Sequence, residues 1–383
     1  MATEKRDSMT ISQSHDSPSD IAPKALSNDE YQLAQLGYKQ EFFRTLGLFE
    51  NWAATFTTMN FISGIPMMFA FVMSTGGPEA AFANWTMVGG FSFIVSLAMA
   101  EIASALPVAG GIYYWSFYLG ELGILTVTDV DFVKGAWIFF GYDASAHLAE
   151  ETKEASAVVA KGMWMATLSG WLLSIPTLIL ILFCIQDFDG IIAATYANNW
   201  AEYLMQLIGP AGSTAILVLL WIDSTCATAS AFMSAQRVTY AISRDNVLPF
   251  SRYFRKLTST HRMPLHAAFL VAAISIAIST AVIGSSVAFS AITAMSTIAT
   301  NVSYLFPIIA RQTVGAAVFV PAKWNLGRAS AVIATISSVW ICYLFVVLLL
   351  PQVYPVTGVS FLPLSPPPAP MCPTKLTKIR RRH

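Results

Sequence analysis

Charge is what this sequence has least of. Of 383 residues, 22 are Lys or Arg and 22 are Asp or Glu, or 11% together. A soluble domain carries about 25% charged residues, so the chain has too few to cover a water-facing surface. The net charge of zero says nothing about partners, because the charges are segregated rather than mixed; no nucleic-acid partner is expected. Cysteine is scarce as well: Cys184, Cys226, Cys342 and Cys372. They form no CxxC pair and no ligand spacing, and three of them lie in apolar blocks, where a cysteine is a small core residue. Neither a disulfide framework, a metal site nor a cofactor is expected. There is no HExxH, no GxSxG, no phosphate-cradling glycine loop and no filter-like repeat, so neither an enzyme nor a channel is expected. Residues 1–40 lack an apolar stretch, and no cleavable signal peptide is expected.

What the chain has is apolar length. Hydrophobic residues make up 55%, in blocks that reach the ~20 residues a bilayer-crossing helix needs. Nine candidate spans lie at 51–75, 85–106, 112–127, 133–149, 162–185, 209–233, 264–284, 289–310 and 329–350. The third and fourth are short and weak. The expected fold is an all-α polytopic membrane protein, with the lipid bilayer as its first partner. Residues 1–40, rich in Ser, Asp, Lys and Gln, are expected to form a disordered tail. Residues 41–50, with Arg44 among Phe42, Phe43 and Leu46, suit a short interfacial helix. The membrane domain then runs over 41–357, and 358–383 is a proline-rich, basic, non-helical tail.

Lys and Arg in the loops set the orientation. The stretch between 233 and 264 holds Arg237, Arg244, Arg252, Arg255, Lys256 and Arg262, whereas 186–208 holds Asp187, Asp189 and Glu202 and no Lys or Arg. The basic loop is therefore assigned to the cytoplasm, together with the N-terminal tail and its Lys24, Lys39 and Arg44. The plasma membrane is the expected location. An odd ninth span leaves Lys375, Lys378 and Arg380–Arg382 outside, against the charge rule. Either a span is missing or this tail is abnormal.

Two interruptions carry the functional reading. Within the first span, Ser63-Gly64-Ile65-Pro66 breaks an apolar helix. Proline removes a hydrogen bond and glycine permits non-helical angles. Freed backbone groups in lipid cost several kcal/mol unless something satisfies them. Transporters aim such half-helix ends at a substrate or ion near the midplane; alone, the string equally describes a proline kink. The fourth candidate span adds Phe139-Phe140-Gly141-Tyr142-Asp143-Ala144-Ser145-Ala146-His147, a glycine, an acid and a histidine in an apolar stretch. An ionisable residue at membrane depth costs about 3 kcal/mol or more and is a functional candidate by default. A re-entrant loop is the plain alternative, but two interrupted helices in one chain point to paired repeats with a site between them.

Together with Leu106-Pro107-Val108-Ala109-Gly110-Gly111-Ile112-Tyr113-Tyr114-Trp115 and Gly141 to Thr152, these strings resemble the amino acid–polyamine–organocation superfamily. Within it the chain is most similar to fungal amino acid and choline permeases, including GABA permeases. Arg237–Asp245 with Leu248-Pro249, and Thr300–Tyr304 with Pro307, agree. The resemblance covers 40–125 and 131–357. It implies two inverted five-helix repeats plus two further helices, and uptake driven by an ion gradient, usually protons. It also implies a small-molecule substrate: an amino acid, GABA, choline or a polyamine. By the family pattern Asn60, Ser63, Gly64 and Ile65 would hold the substrate, with backbone groups of the last three on its carboxylate. Phe140, Gly141 and Tyr142 would line the site, and Asp143 would serve proton coupling or cation contact. Arg237, Tyr240, Arg244 and Asp245 would form a cytoplasmic gate, although positive-inside topology also accounts for the basic residues. Glu101 and His147 are further ionisable candidates. Trp52, Phe56, Phe140 and Tyr142 could offer an aromatic surface to an amine.

The chain departs from the family in length. Only 75 residues separate Pro66 from Gly141, whereas the rest of a five-helix repeat needs ~100 or more at ~20 per span. The join falls at Gly120–Asp131, and a second departure near Val356-Thr357 removes the twelfth helix. The chain as written is therefore expected to transport poorly or not at all, which keeps a non-transporting remnant or sensor on the same fold as the alternative.

Overall fold

The computed structural model describes residues 27–120, 141–193, 199–283 and 286–348. These residues are helical almost throughout, and four of their helices are long and apolar enough to cross a membrane: Gly77–Ala105, Ala155–Phe183, Trp200–Arg244 and Gly327–Val347. Residues 133–140 of the 133–149 span, Phe140 among them, the proposed join after Gly120 and the C-terminal tail lie outside the described residues.

The helices are α1 (Asn28–Gln35), α2 (Leu48–Met59), α3 (Phe61–Ala105), α4 (Ile112–Gly120), α5 (Ala144–His147) and α6 (Ala155–Phe183), then α7 (Phe188–Ile192), α8 (Trp200–Arg244), α9 (Ser251–Phe254), α10 (Leu265–Ile283), α11 (Ser286–Gln312) and α12 (Ser330–Leu348). The expected tail 1–40 therefore contains structure. Ser27 caps α1 in a capping box with Glu30, which satisfies two otherwise orphaned N–H groups.

Both α3 and α8 turn a corner at a Gly-Pro pair. Gly77 (φ 70, ψ −171) and Gly209 (φ 69, ψ −179) hold nearly the same angles. Only glycine occupies that region at low cost, and the proline that follows starts the next arm where its missing N–H is not needed. The second candidate span thus begins at Pro78 rather than at 85.

The sixth span is longer than its apolar window. The second arm of α8 continues from 234 to Arg244, so Arg237 and Arg244 stand on a helix instead of in a loop. Their partners are acids on another segment, and those contacts extend the helix past its hydrophobic run.

The centre of the molecule is the packing of α3 on α6, through Met99, Ile102 and Ala103 against Val159, Ala160, Met163 and Ala166, all buried. Gly170 on α6 lies under the Phe61 ring, and a methyl group there would overlap it. At the far edge Phe91 stacks on Trp340 at 4.2 Å, joining α3 to α12. Glu101 is buried at the end of α3. It pairs with Arg311 of α11 at 2.9 Å and accepts from Ser330 of α12 at 2.8 Å, a three-helix pin with no exposed charge.

Candidate functional site

The first break is real, and it sits three residues before the string that signalled it. The last residue of α2 is Met59; Asn60 then takes a left-handed conformation (φ 52, ψ 43), and α3 begins at Phe61. Asn is among the few non-glycine residues that visit this region readily. Ser63-Gly64-Ile65-Pro66 is helical, and Gly64 N–H donates to Asn60 O at 2.9 Å. Proline's fixed φ fits a helix; its usual cost is the lost bond to the preceding turn, so Pro66 can be held just inside the new helix. The Asn60 side chain makes no cap, and its Oδ1 is buried without a partner.

At the second break Gly141 has φ 92. The four-residue helix α5 follows, then a 3₁₀ turn at Ala149–Glu151, in place of a continuous span to 149. A methyl group at Gly141 would lie 3.4 Å from Thr58 Cγ2 and 3.7 Å from Thr58 O. The second break therefore rests on the last turn of α2. Asn51 of α2 ties the two further: Ser145 Oγ donates to Asn51 Oδ1, and Asn51 Nδ2 donates to Thr152 Oγ1 at 3.1 Å.

Of the expected substrate-site residues, Gly141 and Tyr142 join one network. Gly141 N–H donates to Tyr304 Oη at 3.3 Å, Tyr304 O–H donates to Asp143 Oδ1 at 2.7 Å, and the Tyr142 and Tyr304 rings are 5.0 Å apart. Asp143 Oδ2 meets His147 Nε2 at 3.1 Å, and His147 Nδ1 meets Ala109 O at 3.1 Å. A carbonyl only accepts, so Nδ1 carries a hydrogen. The Nε2–Oδ2 contact then requires a proton between them, on whichever atom holds it. Tyr142 and Tyr304 are buried beside that proton, and Asp143 is half-buried.

Ser63 is directed elsewhere: its hydroxyl donates to Asp223 Oδ2 of α8. Ile65 and Gly64 are buried in α3. Trp52 and Phe56 stack on each other at 5.4 Å, and Trp52 Nε1–H donates to Ser169 Oγ at 3.2 Å, so these rings belong to the α2–α6 contact. Among the described residues no ring contact joins Trp52 or Phe56 to Tyr142.

The four expected gate residues do come together, at the end of α8. Arg244 forks onto the buried Glu150 with both bonds at 3.1 Å, a planar match of guanidinium and carboxylate. Arg237 Nε–H donates to Glu151 at 2.7 Å. Tyr240 is buried and meets Phe42 edge-on at 5.1 Å. The Arg244 guanidinium stacks 4.0 Å over Tyr38, whose hydroxyl donates to Asp245 at 3.2 Å.

The segment 27–47 completes this end. Arg44 donates to Ala149 O and Thr152 O; Thr45 and Leu46 N–H both donate to Glu151 O, and Lys153 N–H donates back to Leu46 O. Glu41 is half-buried there, and desolvation raises its carboxyl above the ordinary range, with Arg244 pulling the other way. Burial likewise raises Asp245, against the same Arg244.

The sequence reading missed Asp223, Tyr38 and the roles of Ala109 and Tyr304. Asp223 carried a signal as an acid directly after the apolar run Leu217–Ile222, and Ala109 and Tyr304 lay within strings that marked the family without marking these contacts.

Residues 127–366 match the family model described as amino acid permease. An amino-acid permease BAT1 homolog of Oryza sativa subsp. japonica is 24% identical, with 85% of this chain and 88% of the relative covered. The thiamine transporter thi9 of Schizosaccharomyces pombe is 22% identical over 89% and 83%, and the GABA-specific permease of Saccharomyces cerevisiae 20% over 79% and 74%. The BAT1 homolog aligns over 464 positions, more than the 383 residues of the chain, so the alignment opens gaps in this chain.

Proposed function

This chain belongs to the amino acid permease family, and from that premise we propose that it is a secondary active transporter of amino acids or related amines such as GABA or choline. Alternating access runs around the paired breaks at Asn60 and Gly141, and protons drive it through Asp143. The observation that carries the reading is the seating of Gly141 on Thr58, which sets the two interrupted helices against each other. Broken helices in membranes are tolerated where their open backbone lines a cavity or is buried in protein.

The Asp143–His147 pair supplies the coupling element. With its proton, the pair ties α5 to the Ala109 carbonyl at the end of the α3–α4 connection. Without it, a neutral imidazole has one N–H for two acceptors, so it holds either the Ala109 carbonyl or the Asp143 carboxylate but not both. Proton occupancy is thereby linked to the position of the second broken helix. At the cytoplasmic end the ion pairs of Arg237 and Arg244 with Glu151 and Glu150 close the path, and opening must separate them.

A second reading is favoured by the alignment gaps and by the 75 residues between the interruptions. A chain short of helices between the two interruptions would keep the site but move slowly or not at all, as a remnant or sensor. Expression in a host lacking its own permeases, with uptake of labelled GABA, choline, arginine and spermidine and competition among them, tests both. Uptake competed by one chemical class supports transport; uptake at the host's background for every probe overturns it in favour of the remnant.

A further inference from the structure

The acid at Asp223 has no counterpart in the residues discussed so far for substrate or proton. It stands on the second arm of α8, about 20 Å along the axis from Pro210 at 1.5 Å per residue, and so within the ~30 Å hydrocarbon thickness. The residues before it along the chain are apolar, and Leu219 and Trp221 are exposed by 65% and 70%, as suits a lipid-facing surface. Asp223 itself is half-buried and turned inward, where the Ser63 hydroxyl donates to its Oδ2. No cationic side chain among the described residues lies within ion-pair distance of it, and its Oδ1 has no hydrogen-bond partner there. It therefore differs from the other intramembrane acids, since Asp143 has His147 and Glu101 has Arg311.

A helix staple does not need this charge. The one Ser63 O–H, now given to Asp223, has the Leu220 carbonyl within reach at 3.4 Å as an alternative acceptor, and α8 is tied to α2 lower down by Thr58 Oγ1 on Ser230 Oγ at 2.8 Å. An asparagine would accept from Ser63 equally well. An unpaired carboxylate at this depth is expensive to keep and calls for a cation. Three residues before Ser63 is the break itself, where Asn60 Oδ1 is buried with no donor. A carboxylate bonded to Ser63 and an orphaned amide oxygen at the start of the same helix are both acceptors and ask for the same kind of partner.

The geometry points to Asp223 as the anchor for the positively charged nitrogen of the substrate, an ammonium or quaternary ammonium group, with Asn60 Oδ1 as a second acceptor. This rests on the transporter reading and assigns the cationic nitrogen common to its substrates a partner on α8. An ammonium donates to both oxygens, whereas a quaternary nitrogen meets the carboxylate by charge alone.

The test is equilibrium binding to the full chain in lipid nanodiscs, with labelled choline, GABA, arginine and spermidine as probes, for wild type, Asp223→Asn and Asp223→Glu. At least one probe is expected to bind wild type, with Kd raised at least about tenfold in Asp223→Asn and largely restored in Asp223→Glu. An unchanged Kd in Asp223→Asn overturns the assignment and leaves the transporter reading standing. No binding of any probe to monodisperse wild type overturns both. Should the Asn variant fail to stay monodisperse, wild type alone decides. The bound probe is challenged with its analogue lacking the charged nitrogen, butyrate for GABA or the tert-butyl isostere for choline. Displacement at equal concentration overturns the proposal, and displacement only at about tenfold or greater excess supports it.

Discussion

His147 Nδ1 donates to the Ala109 carbonyl while its Nε2 faces Asp143 Oδ2 at 3.1 Å, so the pair holds a proton by geometry. Replacing Asp143 with Asn keeps the size and the bond from Tyr304 but leaves no carboxylate to share the proton. Gradient-driven accumulation by Asp143→Asn is expected to fall by about tenfold or more, toward the level without a pH gradient. Counterflow exchange should persist. Accumulation that still follows the gradient in the variant would remove Asp143 from the coupling role.

Arg244 has a stability role that can be isolated. Glu150 is buried and receives both guanidinium bonds, so Arg244→Ala leaves a buried charge unpaired. Breaking such a pair costs about 3–5 kcal/mol, and a clear drop in the melting temperature of the detergent-solubilised protein is expected. Glu150→Gln in the same chain should recover part of that loss. If the double variant melts no higher than Arg244→Ala, the pair is not what holds this end.

Gly170 fixes how closely α3 approaches α6. Gly170→Ala forces the Phe61 ring to move, and overpacking of this kind costs about 1–3 kcal/mol. Lower thermal stability is expected, eased by Phe61→Leu. Because Phe61 is the first residue after the break, probe affinity should fall along with stability; a variant with unchanged melting and binding would show that the ring has room.

Much of the helix order was legible because membrane spans announce themselves by apolar length; α10, α11 and α12 lie within a few residues of their expected spans. What was not legible follows from contacts. Asn60 closes α2 because its backbone tolerates a left-handed angle, a property that Pro66, with its louder signal, masked. The helical run to Arg244 was hidden because Arg237 and Arg244 look like loop charges until Glu150 and Glu151 are placed opposite. The segment 27–47 is short of apolar length and takes its place through contacts with α4, α8 and the turn at Ala149–Glu151. Asp223 was visible as an acid directly after an apolar run, yet its turn toward Ser63 needed the packing.

The docking of that segment should depend on pH. Burial raises Glu41 and Asp245 above their ordinary values, against the pull of Arg244. The docked state therefore binds more protons than the undocked one between the ordinary and the raised value. Docking is strengthened on the acid side and weakens as pH rises through the raised value. Hydrogen exchange of the amides over 28–46, corrected for intrinsic rates, should show greater protection near pH ~4.5 than near ~7. Protection that increases with pH would contradict this sign.

The central claim is a proton-driven site between two broken helices, and its driving force can be read apart from its rate. The full chain is reconstituted in proteoliposomes with an inward proton gradient, and labelled GABA, choline and arginine are followed with and without a protonophore. The account predicts accumulation above the equilibrium level, however slow, that collapses when the protonophore is added. Uptake that reaches the same level with and without the gradient would contradict it.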